Sequence, residues 1–188
     1  MAAALLRLIT VATAAAVVLG HAVVQDPTPR RAGSSYTERC GSVYAEFMEK
    51  DRAGPIEDGV QEAGSEIGCN PYLCRGYQYE DNAASEYKPG QVIDFHVDLI
   101  AGHRPGYANV SIVDLEANKI IGSPLRSWDT WPNSTATTRR SDIDFNVTIP
   151  STLGAACSTG GKCAIQWYWY AIKNEQTYES CVDFYVTA

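Results

Sequence analysis

Period-two alternation is the feature that most narrows what this 188-residue chain can fold into. In VIDFHVDLI (92–100), Ile93, Phe95, Val97 and Leu99 fall on one face, while Asp94, His96 and Asp98 fall on the other. YANVSIVD (107–114) sets Ala108, Val110 and Ile112 together, and DIDFNVTIP (142–150) aligns Ile143, Phe145, Val147 and Ile149 with Asn146 outward. Successive side chains of a strand point to opposite faces, so such a pattern marks strands with one face in a core. CAIQWYWYAI (163–172) and SCVDFYV (180–186) extend the set, and the turn residues KPG (88–90) and RPG (104–106) punctuate it.

Only the stretch from Tyr36 to Asn82 breaks this rhythm. It is predicted to hold a short helix over Val43 to Lys50 and then a long loop bearing Cys69 and Cys74. The expected fold is therefore all-β: an immunoglobulin-like or fibronectin-III-like β-sandwich with long loops and a short helix, stabilised by disulfides. No internal repeat or low-complexity linker divides the chain, so one domain over residues 21–188 is expected.

The first twenty residues, MAAALLRLITVATAAAVVLG, have the build of a secretory signal peptide. They carry one early positive charge at Arg7, an Ala/Val/Leu stretch, and small residues at Val18 and Gly20. Six cysteines, at 40, 69, 74, 157, 163 and 181, suit an oxidising, extracellular setting. Three N-x-S/T sequons agree with that address, at Asn109, Asn133 and Asn146, with Asn133 in WPNSTATT the best glycosylation candidate. Cys157 and Cys163 flank STGGK and are expected to pair; spacing leaves the other four open. The formal charge of −7 becomes −8 without Arg7, which argues against nucleic acid or anionic membrane as a partner and suits an uncharged target.

Cleavage after Gly20 would make His21 the first residue of the mature chain. A terminal histidine offers its α-amine and Nδ1 to one ion and closes a six-membered ring. A second imidazole would complete a planar three-nitrogen set, which suits Cu(II) better than tetrahedral zinc. The amine, with an ordinary pKa of about 7.7–8.0, must lose its proton to bind. Of the two other histidines, His96 sits between aspartates on a polar strand face and reads as a solvated surface residue. His103, in AGHRPGY, lies in a Gly/Pro loop beyond a strand, where sites are commonly displayed. Near the C-terminus, EQTYESC (175–181) puts Gln176 and Tyr178 on one face of an extended segment.

A mature N-terminal His, a histidine followed by Pro-Gly, and Q-x-Y-x-x-C together resemble a lytic polysaccharide monooxygenase. HRPGYANVSIVD, ANKIIGSPL, NPYLCRGYQYEDN, CAIQWYWYA and QTYESCVDF are most similar to the cellulose-active sixteenth auxiliary-activity family of fungi and oomycetes. That resemblance covers residues 21–188 and implies one copper ion held by a histidine brace. It implies His21 (amine and Nδ1) and His103 as ligands, Tyr178 as the axial residue, and Gln176 beside it. It also implies the disulfides Cys69–Cys181 and, with them, Cys40–Cys74.

The activity so implied is oxidative cleavage of cellulose at the anomeric carbon, giving aldonic acids. It uses an external electron donor with dioxygen or hydrogen peroxide, in a secreted monomer. Trp128 and Trp131 of SWDTWPN, with Tyr107, Tyr36 and Tyr44, are candidates for stacking on sugar rings, whereas Trp167 and Trp169 read as core. Two other readings fit the same residues: a non-enzymatic copper carrier using the same brace, and a metal-free secreted carbohydrate-binding domain. No G-x-S-x-G motif points to a serine hydrolase.

Overall fold

A computed structural model describes residues 20–134 and 138–187 of the chain. All but the last residue of the expected signal peptide lies outside them. Among the described residues there are eight strands: β1 (His21–Asp26), β2 (Ser85–Tyr87), β3 (Val92–Ala101), β4 (Gly106–Asp114), β5 (Lys119–Trp128), β6 (Asp144–Thr148), β7 (Cys163–Ala171) and β8 (Gln176–Val186). They form a three-stranded sheet in the order β1-β3-β6 and a five-stranded sheet in the order β2-β8-β7-β4-β5. Only the β2–β8 pair is parallel among the described ladders.

The alternating residues do what their pattern requires. Val24, Phe95, Val97, Phe145 and Val147 of the small sheet pack against Val110, Ile112, Ile165, Trp167, Trp169 and Val182 of the large one, in one continuous core. The fold is the expected β-sandwich. Beside it, the irregular stretch is more helical than expected. Three helices, α1 (Ser34–Cys40), α2 (Ser42–Lys50) and α3 (Ile56–Ala63), gather Tyr36, Tyr44, Met48 and Ile56 into a second, smaller core. A single-turn α4 (Arg140–Ile143) leads into β6. Among the described residues no helix is long and apolar enough to cross a membrane.

Two kinds of cross-link fasten the helical region and β1 to β8. Arg30, just past β1, meets Asp183 of β8 through two 2.7 Å hydrogen bonds and donates a third to the Tyr77 carbonyl. Both side chains are buried, and their mutual neutralisation is what makes the burial tolerable. The disulfides are Cys40–Cys69, Cys74–Cys181 and Cys157–Cys163. The last is as expected, but the implied Cys69–Cys181 and Cys40–Cys74 are corrected. Consecutive left-handed residues, Cys74 (φ 55°) and Arg75 (φ 60°), turn the chain so that Cys74 reaches β8 while Cys69 stays beside α1.

Candidate metal centre

Strand pairing brings the two candidate imidazoles together. His21 opens the edge strand β1 opposite Ala101, the last residue of β3, and His103 follows two residues later in the connection to β4. That connection is tight. A Cβ on Gly106 would come within 2.7 Å of Trp169 Nε1 and 2.8 Å of two backbone carbonyl oxygens, so only glycine fits there.

On the other sheet, Tyr178 sits opposite Trp169 in the β7–β8 ladder, turned to the inner face and fully buried. Its hydroxyl donates to Gln176 Oε1 at 3.0 Å, as the shared face of Gln-x-Tyr predicts. Burial pushes the phenol pKa well up, with Asp58, Glu57 and Asp51 adding to the effect, so Tyr178 keeps its proton.

Gly20 locates the space these groups share. A Cβ there would lie 2.9 Å from His103 Nε2 and 2.7 Å from the Tyr178 hydroxyl. His103 is itself buried, and its Nε2 has no hydrogen-bond partner. A buried polar nitrogen without a partner is costly and uncommon. Burial lowers the His103 pKa, with nearby His21 adding to the effect, and this favours the neutral ring that binds metal.

His21 is held differently: its Nε2 lies 2.5 Å from Asp51 Oδ2. Glu57 and Asp58 stand close by. Asp58 has its carboxyl pKa raised by burial and then by Asp51, with His21 opposing, and Glu57 accepts the Thr177 amide at 2.7 Å. The electrostatic setting therefore suits a cation.

Among the described residues, no cluster of three or more His, Cys, Asp or Glu side chains has the arrangement of a metal site. The brace expected from the sequence needs only two side chains, because its third nitrogen would be the α-amine that cleavage after Gly20 releases. The unpartnered His103 Nε2, the phenol beside it and the adjoining His21 fit a copper ion held in this way.

The remaining candidates are spread elsewhere. His96 is at the far end of the β1–β3 ladder, opposite Asp26, and its half-exposed ring meets Asp144 Oδ1 at 2.7 Å. Trp131 is corrected: it is fully buried, packed edge-on against Trp167 and Trp169, and its Nε1 donates to the Asp142 carbonyl. Tyr36 and Tyr44 are likewise core residues, and both hydroxyls donate to the Arg75 carbonyl. Trp128 packs its ring against Phe145 and under Arg126. Tyr107 remains well exposed, beside Tyr168 and Tyr170 on the outer face of the large sheet.

Of the sequons, Asn146 is exposed on β6, Asn109 is half-buried and accepts from Ser111 Oγ, and Asn133 accepts from the Arg139 amide. Sequence reasoning missed Asp51 and Arg75.

A family model described as lytic polysaccharide mono-oxygenase, cellulose-degrading, matches residues 21–184. No curated protein sequence matches the chain. Among solved structures, similarity extends to a Listeria monocytogenes LPMO catalytic domain (14% identity, 89% of this chain and 100% of that one, TM-score 0.49). It also extends to a copper(I)-bound Bacillus amyloliquefaciens CBM33 (12%, 89% and 100%, 0.47) and to a Streptomyces lividans AA10 lytic polysaccharide monooxygenase (12%, 62% and 74%, 0.42). At these scores the likenesses add nothing to the fold already described.

Proposed function

The chain belongs to the cellulose-degrading lytic polysaccharide mono-oxygenase family, and we propose that it is a secreted, copper-dependent enzyme cleaving cellulose by oxidation at the anomeric carbon. The observation that carries the site assignment is the buried, unpartnered Nε2 of His103, facing the same space as the Tyr178 hydroxyl and the His21 seam. The family match begins at His21, which supports cleavage after Gly20. Placement in the sixteenth auxiliary-activity family rests only on the sequence phrases quoted above and draws no support from the solved structures.

His21, through its amine and Nδ1, and His103, through Nε2, would hold one copper ion. When bound, copper supplies one-electron redox chemistry and oxygen activation. Tyr178 bounds the site from within the core and, with its proton retained, orients Gln176 through their hydrogen bond. Gln176 can in turn present an amide N–H to an oxygen co-substrate. Burial of His103 and Tyr178 excludes water from the inner side and leaves the outer side for the polysaccharide. An external donor provides the electrons. Tyr107 and the half-buried Trp128 remain the sugar-stacking candidates, a monomer is the proposed state, and Asn146 is the most exposed sequon.

The test is mature, copper-loaded protein on amorphous cellulose with ascorbate, followed by mass spectrometry of soluble products. Aldonic acids that vanish in His21→Ala are expected. Absence of oxidised sugars, despite an intact His21 terminus and bound copper, would favour a copper carrier instead.

A further inference from the structure

We infer that Asp51 is the positioning residue of the metal centre, selecting the His21 tautomer that allows amine and ring to chelate one ion. The proposal rests on the copper reading above. A neutral imidazole has one N–H, and a carboxylate oxygen can only accept. The 2.5 Å contact between His21 Nε2 and Asp51 Oδ2 therefore places the ring proton on Nε2 and the lone pair on Nδ1. Only Nδ1 closes a six-membered ring with the α-amine of the same residue. The opposite tautomer would present an N–H to the metal.

Asp51 is well placed to impose this choice because its own loop is clamped. It follows α2, and its Oδ1 accepts from the Ala53 amide at 3.1 Å. Arg75, almost fully buried, donates to the Asp51 carbonyl at 3.0 Å and to the Gly54 carbonyl at 2.6 Å. Ala22, the neighbour of His21, donates its amide to the Ala53 carbonyl at 3.0 Å. The amide of Arg75 is directed at Glu179 of β8, next in sequence to Tyr178. Carboxylate and imidazole are thus tied by one hydrogen-bonded frame to β8, the strand that carries the phenol. Metal-bound histidines commonly rely on such an outer partner, whose loss typically costs about 10–100-fold in metal affinity.

Two substitutions separate this role from simple support of the loop. Asp51→Asn keeps shape and size. With its oxygen retained by Ala53, it turns an NH₂ group toward His21 and favours the Nδ1–H tautomer. Gly54→Ala keeps the carboxylate but displaces it, because the new Cβ would lie 2.5 Å from Oδ2.

The experiment uses mature protein beginning at His21. Imidazole ¹⁵N NMR of the metal-free form reads the tautomer, and calorimetry and EPR with Cu(II) read the site. The wild type is expected as Nε2–H, and Asp51→Asn as Nδ1–H with Cu(II) affinity weaker by about 10–100-fold and altered nitrogen couplings. Gly54→Ala is expected to weaken affinity with the fold intact. Equal Cu(II) affinity in wild type and Asp51→Asn would overturn the role of Asp51 and leave the brace standing. A wild type that binds no copper would overturn both.

Discussion

The rings of Trp169 and Tyr178 stack across the β7–β8 ladder, with centroids 4.1 Å apart and planes 18° apart. This contact fixes the height and tilt of the phenol beneath His103, whose ring lies 6.4 Å from Trp169. Tyr178→Phe keeps the stack and removes only the hydroxyl, so a stability loss of about 1 kcal/mol is expected, with a changed Cu(II) EPR spectrum and lower turnover. Trp169→Ala removes the support itself and should cost roughly 3–5 kcal/mol in denaturant unfolding.

Glu179 gives the protein a pH dependence of its own. Burial raises its pKa to about 7, against the lowering effect of Arg75, while Glu57 pushes the same way as burial. Between the ordinary carboxyl range and pH 7 the native state holds a proton that the unfolded chain has lost. Stability therefore falls as pH rises through that window, by a total of roughly 3 kcal/mol. Glu179→Gln should flatten the decline, as melting temperatures from pH 4 to 8 would record. A slope unchanged in the variant would contradict this account of Glu179.

Disulfide connectivity is directly checkable. Cys69 and Cys74 are separated by Asn-Pro-Tyr-Leu, with no Lys or Arg, so trypsin leaves them on one peptide. Chymotrypsin, cutting after the exposed Tyr72, should yield Cys40 linked to Cys69 and Cys74 linked to Cys181. The Cys74–Cys181 bridge closes the longest span, 107 residues, and its removal by a double Cys→Ser change should cost about 2–5 kcal/mol.

Copper should stabilise the mature chain by mass action. At a free concentration 100-fold above Kd the gain is about 2.7 kcal/mol, or roughly 5–10 °C in Tm for a chain of this size. EDTA should reverse the shift, and His103→Ala should abolish it. A thermal scan with and without Cu(II) decides the point.

The sandwich was legible because burial on one face writes itself as alternation. Strands β3, β4 and β7 lie within a residue or so of their predicted bounds. Strand β5 was not, because Gly122 and Pro124 interrupt KIIGSPLRSW; it is an edge strand, where Pro is tolerated. Helix α3 was hidden by Gly59, whose missing Cβ makes room for Met48 and Tyr44. His21 and Gln176 open strands β1 and β8, Tyr178 lies two residues into β8 and His103 two residues beyond β3, which is why these four lie near one another. Asp51 had no local signature among twenty-two acidic residues, because its role comes from a fold contact thirty positions away. The cysteine pairing turned on backbone direction at residues 74 and 75, which spacing does not encode.

On the copper reading, the position of Gly20 would make peptide-bond hydrolysis an assembly step. While Gly20 is attached, the His21 nitrogen is an amide without a lone pair to give, and Gly20 borders the space before His103 Nε2 and the Tyr178 hydroxyl, where a Cβ on it would come within 2.9 and 2.7 Å. Scission after Gly20 would create a donor beside the other two groups. On the copper reading, a chain still carrying its leader is latent in the manner of a zymogen.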